Sequence, residues 1–253
     1  MPTNDIPNAM KGKKMEEYVL SQHIIDVVNK KSDDNPFTSI NKLIYQELYK
    51  EILEGNILPE HKLVESKIAS ALQISRSPVK LALQELEARG ILEKGKGSSL
   101  HVKRVTYSEC LKVYEARMAL EPKVAYIAAS RITDEELDEL RKLCDTFKTV
   151  DRSKDQRSYT KADTEFHQSI LRYSKNHFFI DMYNALEFPL ACYRHQLNQF
   201  AYEDVSSFTG LNMGAYHHTA IYNMLKMRAP LLAEDAMRND IQRMYGTLSR
   251  LTW

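Results

Sequence analysis

The stretch Leu63-Val-Glu-Ser-Lys-Ile-Ala-Ser-Ala-Leu-Gln-Ile-Ser-Arg-Ser-Pro-Val-Lys-Leu-Ala-Leu-Gln-Glu-Leu-Glu-Ala-Arg-Gly-Ile-Leu92 decides the fold. Ile68, Ala69 and Leu72 make the apolar pattern of a short helix, which breaks at Gln73-Ile74-Ser75. A second helix begins at once. Ser77 suits its cap and Pro78 its first helical position, where a missing N–H does no harm, while Val79, Ala82, Leu83 and Leu86 form a buried stripe as far as Gly90. Two short helices parted by a three- or four-residue turn are a helix-turn-helix.

Working outward, Ile40, Leu43, Ile44, Leu48 and Ile52 repeat at helical spacing, and Gly55 offers a left-handed end to that helix. On the other side the period changes. Ile91–Lys94 and Ser99–Val102 read as two short strands around Gly95-Lys96-Gly97, a wing hairpin. Residues 37–104 are therefore expected to form a winged helix-turn-helix, and the polar residues 1–36 a flexible arm with one short helix around Glu16 to Asn29. After Arg104 the pattern is helical throughout, opening on two capping boxes, Thr106-x-x-Glu109 and Thr133-x-x-Glu136. Helices are expected near 107–130, 134–150, 158–173, 177–199, 213–227 and 230–250, with Pro189 kinking or dividing the fourth. The fold class is mainly α: a small-winged head followed by an all-helical bundle of six to seven helices over 105–253.

Composition narrows the function. At 253 residues the chain is long enough for two domains, and 43% hydrophobic with 27% charged residues fits a globular protein. No apolar run approaches the ~20 residues that span a bilayer, and the N-terminal residues lack a signal-peptide core, so a cytoplasmic protein is expected. Cys110, Cys144 and Cys192 are isolated, which argues against a disulfide framework or a thiolate zinc site. The overall charge of +1 hides a distribution: residues 37–104 carry 11 Lys and Arg against 8 Asp and Glu. The positive excess sits on the segment already read as a DNA-binding head.

A recognition helix presents its N-terminal turn to the major groove while basic and hydroxyl groups hold phosphates. Arg76 and Lys80 stand one turn apart at that entrance, Ser75 and Ser77 add hydroxyls, and Lys96 occupies a glycine-flanked wing turn that can come close to a groove. The same 30-residue stretch closely resembles the GntR family of bacterial regulators, whose Ser-Arg-Thr/Ser-Pro-Val-Arg-x-Ala-Leu run corresponds to Ser75–Leu83. The resemblance implies DNA contacts from Ser66, Ser75, Arg76, Ser77, Lys80, Lys96, Gly97 and Ser98. Two positions depart from the pattern. Lys80 replaces an arginine and loses its planar fork, and Glu60 follows Pro59 where the family has glycine.

Downstream, Tyr114-Glu-Ala-Arg-Met-Ala-Leu-Glu121 and Asp163-Thr-Glu-Phe-His167 resemble the FadR-like branch with its helical FCD domain. That resemblance implies a divalent metal ion, zinc or manganese, held by Asp163, His167, His218 and Asp240, the last departing from a histidine. Asp163 and His167, four apart, do project from one helix face, and His217 is a rival to His218. Arg117 either offers paired donors to an effector carboxylate or forms an ion pair with Glu121 at i+4. Tyr183, Arg194 and Tyr216 are further pocket candidates. The expected function is a ligand-responsive, sequence-specific transcription regulator and not an enzyme. It would be a homodimer on a pseudo-palindromic double-stranded operator, sensing a small organic or sugar acid. The competing reading is a metal-dependent hydrolase or lyase in the helical domain, since Asp and His around an ion can activate water.

Overall fold

The computed structural model describes residues 16–34, 37–95, 99–150, 155–200 and 213–250. Two compact units make it up. The first takes in the described chain up to Thr106 together with Ala191–His195, and the second takes in Tyr107–Leu190 and the described residues from Gln196 onward.

In the first unit, α1 (Gln22–Asp34), α2 (Ile40–Leu53), α3 (Glu65–Ala71) and α4 (Arg76–Ala88) accompany a three-stranded antiparallel sheet of β1 (Lys62–Leu63), β2 (Leu92–Lys94) and β3 (Leu100–Val102), in the order β1-β3-β2. The stripe expected of α4 is buried at Val79, Ala82, Leu83 and Leu86; α4 packs against α2, whose Leu48 and Ile52 are buried too. Each buried Val, Leu or Ile side chain among them contributes roughly 1.5–3 kcal/mol. Helix α2 ends as expected at Gly55, with φ +75. The Gly55 N–H donates to Ile52 O (3.1 Å) and the Asn56 N–H to Glu51 O (2.9 Å), the paired bonds of a Schellman end. Gly90 (φ +70) closes α4 in the same way. Strand β1 was not anticipated, because two residues are too short to show alternation.

Two expectations change here. Residues 16–34 do not form a flexible arm: Leu20, Ile24 and Val28 are buried, and Lys62 exchanges backbone hydrogen bonds of 3.0 Å with Glu16 and Tyr18. Apolar residues at i, i+4 and i+8 carried that stripe within an otherwise polar segment. Residues 1–15, 35 and 36 lie outside the described residues. Helix α4 also begins earlier than expected, capped by Ser75 rather than Ser77. Pro78 then falls third in the helix, still among the first four residues, whose N–H groups have no partner within the helix.

The second unit contains α5 (Tyr107–Ala129), α6 (Asp134–Thr149), α7 (Gln156–Tyr173), α8 (His177–Phe200) apart from Ala191–His195, α9 (Met213–Lys226) and α10 (Pro230–Arg250). The capping box of α6 is complete: Thr133 Oγ1 accepts from the Glu136 N–H (3.2 Å), and the Glu136 carboxylate accepts from the Thr133 N–H (2.9 Å). Helix α8 runs through Pro189 without division. Small residues Ala125, Ala128 and Ala129 line α5 and let α10 pack closely along it through Ala233, Met237 and Ile241. That packing carries polar residues of α5, α7, α9 and α10 into the interior.

Candidate DNA-reading face and metal centre

On the head, burying Val79, Ala82, Leu83 and Leu86 leaves Arg76, Ser77 and Lys80 exposed on the opposite side of α4. The Ser75 side chain makes no capping bond and is exposed, so its hydroxyl is open to an external acceptor. Ser66 is half-buried in the first turn of α3. The hairpin is closed by the Gly95 N–H donating to Ser99 O (2.7 Å), while Lys96, Gly97 and Ser98 lie outside the described residues. Two residues of this face were missed: Leu81, 51% exposed, and Gln84. The signal was there, since Arg76, Lys80 and Gln84 repeat every four residues and Leu81 lies four beyond Ser77.

In the helical unit, four helices bring their polar residues to one centre. Asp163 and His167 come from α7, His218 from α9, and Asp240 from α10. Ligand atoms of Asp163, His167 and His218 all lie within 4.8 Å of one another. His218 Nε2 is 3.2 Å from Asp163 Oδ1, and His167 Nε2 is 3.9 Å from that same oxygen. Asp240 stands on the His167 side of the trio, its Oδ2 3.5 Å from His167 Nε2. His167 and His218 are 2% and 1% exposed. His217 does not join. It is half-buried and lines an open groove of about 550 Å³ between α9 and α10, beside Tyr216, Asn239 and Arg243. Tyr183 is buried and Tyr216 exposed.

Two further participants come from α5. Arg117 is buried and pairs with Glu121, Nε to Oε1 at 2.5 Å and NH2 to Oε2 at 3.4 Å. Of the two readings open for Arg117, this is the ion pair. Glu121 also accepts from His167 Nδ1 at 2.6 Å, a link between residues 46 apart that no periodicity announces. Burial alone would raise the Glu121 pKa, but Arg117 and His167 overcome it and hold the carboxyl down at about 2. Burial likewise opposes charge on His167, and Glu121 outweighs it to push that imidazole upward.

The donor set suits a divalent cation. His218 Nδ1, His218 Nε2 and Asp240 Oδ1 are buried and make no well-formed hydrogen bond; Nε2 has only the 3.2 Å contact with Asp163 and Oδ1 only Arg243 at 3.8 Å, and buried polar atoms left so are rare and costly. The charges allow it: Arg117 and Glu121 cancel, which leaves two aspartates around two imidazoles, with Arg243 NH2 3.8 Å from Asp240 Oδ1 as a partial counter-charge, and a divalent ion would complete the neutralisation. Two nitrogens and two oxygens fit zinc or manganese.

A winged helix-turn-helix with a basic reading face, joined to a helical unit with a polar interior, defines a one-component transcription regulator. Comparison with known proteins agrees. Residues 41–102 match the model of bacterial regulatory proteins of the gntR family, and residues 112–243 match the FCD domain. The chain belongs to the GntR family, in the group that carries an FCD domain, and the members of this family are transcriptional regulators, not enzymes. Among relatives, the probable D-xylose utilization operon transcriptional repressor of Paenarthrobacter nicotinovorans is 26% identical, covering 81% of this chain and 86% of that one. The gluconate operon transcriptional repressor of Bacillus licheniformis is 28% identical over 62% and 66% of the two chains. Among solved structures, McbR/YncC of E. coli superimposes with a TM-score of 0.71 at 18% identity, covering 85% of this chain and 99% of its own. A GntR regulator from Rhodococcus sp. RHA1 gives 0.67 at 18% identity, covering 85% and 100%. Among the described residues, no helix is long and apolar enough to cross a membrane.

Proposed function

We propose that this regulator is a cytoplasmic homodimer that binds a pseudo-palindromic operator and senses a small organic or sugar acid through a divalent ion. The ion would be held by Asp163, His167, His218 and Asp240. The observation that carries the metal is the trio of Asp163, His167 and His218, with both histidines buried, Asp163 half-buried and His218 Nδ1 making no hydrogen bond. Bound there, a cation supplies open coordination positions to an incoming carboxylate. The protein's own part is to exclude water and to hold the ligand atoms. Relatives named for D-xylose utilization and gluconate operons support a sugar or sugar acid as the effector class. Arg117 is engaged by Glu121, so direct contact with the acid would require it to change partners.

On the head, Arg76, Lys80, Ser75 and Ser77 read or hold the operator, Ser66 supports them from α3, and Lys96, Gly97 and Ser98 form the wing contact. One head covers few base pairs, and pairing two of them on a symmetric site supplies the missing specificity. Metal analysis of protein purified without chelator or affinity-tag metal, followed by calorimetry with candidate sugar acids before and after chelation, tests the sensor. Stoichiometric metal and chelator-sensitive acid binding are expected; equal acid affinity in folded wild-type, His167→Ala and His218→Ala proteins would overturn it. The full chain should sediment as a dimer at micromolar concentration.

A further inference from the structure

The two buried histidines of the centre are held in different ways. His218 makes no hydrogen bond at Nδ1, its Nε2 lies 3.2 Å from Asp163 Oδ1, and its ring stacks on Phe147 with centroids 4.1 Å apart and planes 18° from parallel. His167 is oriented from behind by the Glu121 carboxylate on Nδ1. Both oxygens of that carboxylate are already engaged, Oε1 by Arg117 Nε and Oε2 by His167, so Glu121 is not a spare ligand. Nor does stability explain it, because a buried arginine–glutamate pair is often no more stable than apolar residues of the same size.

We propose that Glu121 is the positioning residue of the metal centre, and that Arg117 acts through it. By accepting the Nδ1–H, Glu121 selects the imidazole tautomer whose Nε2 lone pair faces Asp163 and Asp240, 3.9 Å and 3.5 Å away. Arg117 anchors the carboxylate so that it cannot turn toward the ion. A carboxylate behind a ligating imidazole raises its basicity and fixes its plane, and losing such a partner typically lowers metal affinity about 10- to 100-fold. This inference rests on the metal reading above. It adds that the pair on α5, outside the ligand set, governs affinity.

The test removes the pair as a unit, since removing either partner alone strands a buried charge. Zinc affinity by competition with a chromophoric chelator is measured in wild type, in Arg117→Met/Glu121→Met and in Arg117→Met/Glu121→Gln, with circular dichroism to confirm folding. The methionine double variant is expected to bind zinc about 10- to 100-fold more weakly, with an altered cobalt ligand-field spectrum. The glutamine variant, whose amide oxygen can still accept the Nδ1–H, is expected to recover most of the loss. Equal affinity in wild type and the methionine variant overturns this inference alone, whereas absence of metal from wild type overturns the metal reading with it. Should the double variants fail to fold, the imidazole nitrogen signals of zinc-loaded wild type decide. Protonated Nδ1 and metal-bound Nε2 on His167 support the proposal, and metal on Nδ1 refutes it.

Discussion

The two candidate functional regions place polar residues in opposite ways. On the head, Arg76, Ser77 and Lys80 are exposed because the other side of α4 is buried, so the function proposed there falls to what the core leaves outside. In the helical unit, Arg117, Glu121, His167, His218 and Asp240 occupy positions that periodicity would assign to apolar residues. An exposed side chain loses little when its partner is removed, because water replaces the contact. A buried one is left with the full desolvation penalty. The same kind of substitution should therefore act on binding in the head and on stability in the bundle.

The largest effect is expected where a buried charge is stranded. Arg117→Met leaves Glu121 ionised in the interior without its guanidinium, and should destabilise the fold by about 3–5 kcal/mol in urea titrations. The control is Arg89→Met in the head. Arg89 meets Glu85 at 3.0 Å across one helical turn, but both are solvent-exposed to a large degree. That change should fall below about 1 kcal/mol. Similar losses in the two variants would break the contrast between the regions.

Arg76→Ala reverses the pattern, with folding unchanged and DNA binding impaired. If Arg76 takes a base with both arms of its guanidinium, the loss is about 1–3 kcal/mol together with relaxed preference at one base pair. Gel-shift titrations against operator and scrambled DNA measure both parts. Lys80→Ala should do less to sequence preference and reduce the slope of log affinity against log salt by about 1, as a single phosphate contact does. Unchanged binding in both variants would refute this face as the one that docks.

Legibility in the sequence followed the same division. The stripe of α4, the glycine ends at Gly55 and Gly90 and the six helices of the second unit follow from patterns that local physics produces, and they could be read directly. What failed was the packed segment 16–34, whose stripe of Leu20, Ile24 and Val28 is diluted by polar residues, the two residues of β1, and a cap displaced from Ser77 to Ser75 because proline is tolerated anywhere in the first turn. The centre was legible in a different manner. Asp163 and His167 share a helix face by spacing, but His218 and Asp240 came from family resemblance, since nothing local links residues on separate helices. Glu121 was visible as the i+4 partner of Arg117. Its bond to His167 exists only once α5 and α7 are packed together.

The smallest effect concerns a departure from the family pattern, and it separates backbone strain from surface chemistry. Glu60 has φ +70, in the left-handed region, and its N–H donates to Val102 O at 2.8 Å. The turn after Pro59 therefore adopts the geometry for which the family uses glycine, and this chain tolerates a side chain there. A residue with a Cβ is strained in that region by roughly 1–2 kcal/mol, while glycine loses more backbone entropy on folding, roughly 0.5–1 kcal/mol. The side chain itself offers little in return, since its nearest cation is Arg104 at 3.9 Å and both groups are partly exposed. Glu60→Gly should thus stabilise the head by about 0.5–1 kcal/mol, a shift in the melting midpoint of a few degrees. Because the turn supports β3 through Val102 and not the reading face of α4, operator affinity should stay within twofold apart from a small gain from the lost negative charge, on the order of the weak surface terms. A destabilised Glu60→Gly protein would mean that the carboxylate holds the turn through Arg104 more strongly than its exposure allows, and that the left-handed backbone here is sustained by charge rather than tolerated despite it.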